Sequence, residues 1–162
     1  MLKKLTFILG IIIFISCNSN NSGNVFSEYK NIGSGWKKNE KVEFLFQASD
    51  TVNTYNIFLN LRNDESYPFS NLFLIVNLSL PNNETVSDTL EYRMAEPDGE
   101  WLGEGFSLKE NKLWYKENVT FPAAGECKLT VEHAMRKNSS IEGIQVLKGI
   151  TDVGVEIEKT DK

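Results

Sequence analysis

From Lys41 onward the hydrophobicity of this chain repeats every second residue. KVEFLFQ sets Val42, Phe44 and Phe46 against Glu43, Leu45 and Gln47. TYNIFLNLR sets Tyr55, Ile57, Leu59 and Leu61 against Asn56, Phe58, Asn60 and Arg62. A period of two is the signature of extended chain with one face on a core. NLFLIVNLSL differs: Leu72, Leu74, Val76, Leu78 and Leu80 share one face, while Phe73 and Ile75 lie on the other. Apolar residues on both faces predict a central strand, and the Pro81-Asn82-Asn83 turn ends it. SDTLEYRMA, KLWYKENVTF, ECKLTVEHAMR and DVGVEIEK continue the pattern between turn signals such as PDGE and PAAGE. Short strands at this spacing predict a mainly β fold, an antiparallel β-sandwich of about seven to eight strands. KNSSIEGIQVLKGI breaks the alternation and reads as a loop with a short helical turn.

Before this pattern stands a different kind of segment. Met1-Leu2-Lys3-Lys4 is a short positive head, and LTFILGIIIFI, residues 5 to 15, is an almost unbroken apolar run. That is the layout of a secretory signal. A helical span needs roughly 20 apolar residues, so the run is too short to anchor the chain comfortably by itself. Ser16 and then Cys17 follow it directly, which resembles a bacterial lipoprotein box: Ile15 and Ser16 fit, and Phe14 stands where leucine is usual. Membership of that class implies diacylglycerol on the Cys17 thiol, cleavage before Cys17 and acylation of the new amino group. One acyl chain binds a membrane only marginally, at about 0.8 kcal/mol per buried methylene, whereas two or three hold a protein stably. NSNNSGNVFS then reads as a flexible tether, polar and prone to turns. The expected organisation is a lipoprotein signal peptide over 1–16, a lipidated cysteine and tether over 17–28, and one β-sandwich domain over 29–162. Asn18 rather than aspartate after the lipidated cysteine favours the outer membrane, and the periplasmic face is the default.

A chain of this length suffices for one domain and can bury most of its surface without a metal or disulfide staple. The net charge is −5, and losing Lys3 and Lys4 with the signal makes it −7, which argues against nucleic acid as a partner. Cys127 is the only cysteine besides Cys17. It shares a strand face with Leu129, Val131, His133 and Met135, so it is expected to be a buried, inert thiol.

Chemical motifs are few. His133 is the only histidine, which excludes a histidine metal cluster and leaves any Ser/His/Asp relay dependent on one ring. Its neighbours on the strand face are apolar. There is no phosphate-binding loop, nucleophile elbow, zinc-protease helix or EF-hand loop, so no cofactor and no enzyme activity is expected. EPDGEWLGEG places Glu96, Asp98, Glu100 and Glu104 around Trp101. Those carboxylates could form a calcium site or a hydrolase pair, but the plainer reading is a solvated acidic turn. Trp36, Trp101 and Trp114 could stack on sugars, which leaves a glycan-binding or glycan-hydrolysing lipoprotein as the alternative function.

Several segments together resemble a known family. Asp50-Thr51, Tyr55-Asn56, Leu61-Arg62-Asn63, Tyr67-Pro68, Asn71-Leu72-Phe73, Asp88-Thr89-Leu90, Gly99-Glu100-Trp101-Leu102-Gly103, Met135-Arg136 and Asp152-Val153-Gly154 are similar in order and spacing to the GldH gliding-motility lipoproteins of the Bacteroidetes. The likeness runs from about Tyr29 to Glu158. Two Gly-Ile pairs, Gly143-Ile144 and Gly149-Ile150, compete for the place before Asp152. The resemblance implies a non-catalytic accessory lipoprotein of the envelope machinery for gliding, linked to type IX secretion. Its implied partners are the membrane, through the lipid, and other cell-envelope proteins. It also implies O-glycosylation at Asp-Thr-apolar triplets, which here means Thr51 and Thr89. The alternative for both is that they start strands or cap turns.

Overall fold

Alternation becomes pairing in the computed structural model, which describes residues 24–137 and 140–160. The strands are β1 (Asn24–Asn31), β2 (Trp36–Lys37), β3 (Val42–Ala48), β4 (Tyr55–Asn63), β5 (Asn71–Ser79), β6 (Thr85–Arg93), β7 (Lys109–Val119), β8 (Gly125–His133), β9 (Val146–Leu147) and β10 (Ile150–Lys159). Every pairing is antiparallel. One sheet has the order β1-β10-β4-β7 and the other β3-β8-β5-β6, with β2 and β9 forming a separate ribbon. The protein is thus a mainly β, two-sheet sandwich, with no helix among the described residues.

The residues assigned to a core face fill the space between the sheets. Phe44, Ile57, Leu59, Leu61, Leu72, Leu74, Val76, Leu129, Val131, Val153 and Val155 are fully buried. Cys127, Leu129, Val131, His133 and Met135 are all buried, as their shared strand face requires. β5 lies between β8 and β6, the inner position that its two-sided apolar pattern demands. Its hairpin to β6 closes through Leu80 N–H to Glu84 O at 2.8 Å and Asn83 N–H to Leu80 O at 3.0 Å. Asn83 takes φ +66°, a conformation that asparagine tolerates better than most residues.

Three local expectations change. Residues 24 to 28, expected in the tether, belong to β1, which pairs with β10 from Asn24↔Glu158 to Asn31↔Asp152. The local sequence NVFSEYKN offers little alternation; its order comes from a partner more than 120 residues away. KNSSIEGIQVLKGI holds no helical turn among its described residues: Val146-Leu147 pair with Lys37 and Trp36, and Ile150 opens β10. Gly149-Ile150 is therefore the pair that leads into β10, with Ile150 as its first residue. Finally, β4 is covered on both faces, because Phe58 and Asn60 on its outward side are also buried.

The antiparallel order sorts the connections to two ends. At one end lie the start of β1, residues 49–54, the turn at 81–84 and residues 120–124; there the Phe26–Phe46 ring contact at 5.6 Å joins the two sheets and Tyr55 packs on Phe121 at 5.4 Å. At the other lie residues 32–35, 64–70, 94–108 and 134–145. A nine-residue strand separates the ends by about 30 Å at the usual rise.

Candidate functional site

Cys17, the residue with the most definite expected chemistry, lies outside the described residues. The other singled-out groups divide between scaffold and surface. Cys127 is buried, and burial raises its thiol pKa to about 11, so little thiolate forms at neutral pH. His133 is 4% exposed; its Nε2 stands 3.2 Å from the Trp36 carbonyl oxygen, and its ring meets the Trp36 indole edge-on at 5.5 Å. With Nε2–H donating to that carbonyl, Nδ1 is the bare nitrogen, and it is buried with no hydrogen-bond partner. Burial lowers the pKa of the ring. A neutral imidazole locked against a backbone carbonyl is a core group rather than a proton shuttle.

The three tryptophans separate in the same way. Trp36 is fully buried, and its Nε1 donates to Glu40 O at 2.9 Å. Trp101 is half-buried, tilted against Tyr67 at 6.1 Å and bridged through its backbone to Ala95. Only Trp114, 51% exposed and set over Phe58 at 4.3 Å, keeps a free face. In the acidic turn, Asp98, Glu100 and Glu104 are exposed, and Glu96 pairs with Arg93. Asp98 Oδ1 accepts the Glu100 N–H at 3.1 Å, which makes it a turn former. Among the described residues no three His, Cys, Asp or Glu side chains converge to hold a metal ion.

Both Asp-Thr triplets present an exposed threonine beside an occupied aspartate. Asp50 accepts hydrogen bonds from Val52 N, Asn53 N, Asn53 Nδ2 and Tyr55 OH, and the Asn53 bonds above all hold its carboxyl well below the usual range. Thr51 stands exposed in the bend this makes. Asp88 is held by Lys116 Nζ at 2.8 Å and Tyr115 OH at 2.9 Å, with Thr89 exposed on the edge strand β6.

Sequence reading missed the outward face of the β1-β10-β4-β7 sheet. The Tyr29 ring lies against Gly154, where an added Cβ would come within 2.8 Å of it, and Arg62 sits over that ring at 4.2 Å. Tyr29 OH and Arg62 Nε both donate to Glu110, at 2.6 and 3.1 Å, which lowers the Glu110 pKa. One row along, Asn60 Nδ2 donates to Glu156 at 2.9 Å, and Lys112 bridges Glu156 and Glu158 over the Phe58 ring. The segments behind the family resemblance meet one another: Arg62 with Asp152 across strands, Asp50 with Tyr55, Tyr67 with Trp101, and Phe73 N–H with Met135 Sδ at 3.2 Å. They are scaffold pairs, and none forms a catalytic constellation.

Residues 24–157 match the family described as GldH lipoprotein. A gliding motility lipoprotein GldH homolog of Christiangramia forsetii is 49% identical over 156 residues, covering 96% of this chain and 94% of the relative. The gliding motility lipoprotein GldH of Flavobacterium johnsoniae is 46% identical over 155 residues, covering 95% and 94%. Among solved structures, dimeric latent PorU from Porphyromonas gingivalis aligns over 85% of this chain and 13% of its own, at 10% identity and a TM-score of 0.36, a likeness too slight to carry an argument. The family match and the two near full-length relatives place the chain in one group: it belongs to the GldH family of gliding motility lipoproteins.

Proposed function

We propose that this protein is held to the outer membrane by lipid on Cys17, faces the periplasm, and acts without catalysis as an accessory component of the gliding machinery linked to type IX secretion. The observation that carries this reading is the likeness, over about 95% of the chain, to two proteins named as gliding motility lipoproteins. The positive head, the apolar run of residues 5 to 15 and the cysteine directly after Ser16 supply the anchor. The chemically capable groups are committed to structure, His133 to Trp36 and Asp50 and Asp88 to turns and strands, which supports a binding or assembly role. Its partners on this reading are envelope proteins of the same machine.

The test follows from the anchor. Native protein should incorporate radiolabelled palmitate and sediment with outer membranes, and Cys17→Ala should lose both the label and the sedimentation. Deletion of the gene should reduce colony spreading or secretion. A deletion strain with spreading, secretion and envelope integrity all intact would remove the motility role.

A further inference from the structure

The 94–108 connection, at the end of the sandwich opposite the start of β1, combines rigidity with apolar display. It is pinned at both ends: Ala95 bridges Trp101, Leu102 N–H donates to Met94 O at 3.0 Å, and Glu104 and Glu110 exchange backbone hydrogen bonds at 2.9 and 2.7 Å. The tip is closed by glycine. Gly105 has φ +119°, and a Cβ there would meet Leu108 O at 2.2 Å; one on Gly103 would meet the Asn111 amide at 2.7 Å. Lys109 Nζ adds a bond to Gly105 O at 2.5 Å.

This built arch holds Phe106 97% exposed, with Leu102 at 46% and Leu108 at 43%. An aromatic ring left in water on an ordered turn contributes little to the fold, and the turn's backbone loses little further freedom when the ring docks. That combination suits a binding anchor. The charge along the arch itself is of one sign: residues 94–108 carry Glu96, Asp98, Glu100 and Glu104 and no lysine or arginine. The cations that flank it in sequence, Arg93 and Lys109, are engaged with Glu96 and the Gly105 carbonyl.

We propose that Phe106, with Leu102 and Leu108 beside it, is the anchor by which this protein docks onto a partner protein whose apolar slot is rimmed by lysine and arginine. Asp98, Glu100 and Glu104, exposed along the arch, fit a cationic rim and repel an anionic lipid surface. The arch also lies about 30 Å, a strand's length, from the end where the chain arrives from Cys17. The choice of a motility assay rests on the gliding-lipoprotein reading; the docking itself does not.

The test uses the full-length protein in its own cells, with a photoreactive phenylalanine analogue at position 106. The expected product is an adduct with a different protein, mapped to an apolar site flanked by basic residues. Its yield should fall about tenfold or more when Glu96, Asp98, Glu100 and Glu104 are changed together to amides, or in high salt. Phe106→Ser should leave the melting temperature unchanged and reduce spreading. Adducts only with lipid, only with a second copy of this chain or with an acidic surface would overturn the proposal, as would no adduct at all, or a Phe106→Ser strain that spreads normally where the gene deletion does not. Cys17→Ala in parallel reads the anchor alone, so a failure of the lipoprotein reading shows there and not at position 106.

Discussion

At the scale of single residues, His133 shows how burial turns a reactive side chain into a structural one. Its pKa is lowered chiefly by burial, with the Trp36 carbonyl and Glu132 pulling weakly the other way. As pH falls below the ordinary value of 6.5, the unfolded chain binds a proton that the folded chain refuses. Stability from this group is therefore complete above 6.5 and is lost as pH falls toward the depressed folded value. Urea denaturation at pH 7.5 and pH 5.0 should show the native protein weaker at the lower pH, with the difference reduced in His133→Gln. The carboxylates held low by their partners, Glu110 and Asp88, titrate below this window and leave the comparison clean. A lone histidine on an apolar strand face reads as a core group from sequence, and the structure agrees. What sequence could not supply was Trp36 as its partner, because 97 positions separate them.

At the scale of elements, the connections decide how the strands seat. Gly149 precedes β10 with φ +84°, and its carbonyl accepts the Asp64 N–H at 2.9 Å. A Cβ there would lie 2.2 Å from Tyr67 N and 2.4 Å from Tyr67 Cα, and backbone atoms cannot step aside as a side-chain tip can. Tyr67 in turn donates to Asn71 O at 2.6 Å and supports Trp101. Gly149→Ala should therefore cost about 2–4 kcal/mol in chemical denaturation, a strained conformation added to a backbone clash. Gly99 has a similar φ of +92° with nothing within 4 Å, and Gly99→Ala should cost only about 1 kcal/mol. Equal losses at the two sites would mean that conformation alone, and not the packing against Tyr67, makes Gly149 necessary. Both glycines are plain turn signals in sequence. Nothing local distinguishes the crowded one from the open one.

At the scale of the whole molecule, the first long strand pairs with the last. β1 supplies the edge partner of β10 and sends Phe26 against Phe46 in the other sheet. A chain beginning at Asn24 should fold like the full domain. A chain beginning at Ile32 should leave β10 unpaired on one side and lower the melting temperature by at least about 10 °C, given some 2–4 °C per kcal/mol for a domain of this size. Calorimetry on the two truncations reads the difference directly. Residues 24 to 28 read as tether because their own pattern is too weak to announce a strand; their order is conferred by β10.

Period-two alternation by itself determined the sandwich and its core faces, since a side-chain repeat of two permits only one apolar side per exposed strand. The Ser16-Cys17 step after the apolar run, from which lipidation is proposed, is likewise a local signal that needs no tertiary structure to be read. Only the tertiary structure decided which strands are neighbours, that β1 is a strand at all, and that the outward face of β4 is sealed by Arg62, Lys112 and their partners. It alone separated Trp36 and Trp101, committed to packing, from Trp114 and Phe106, left in water. Burial depends on what arrives from elsewhere in the chain, and a strand's own residues do not specify what will cover them.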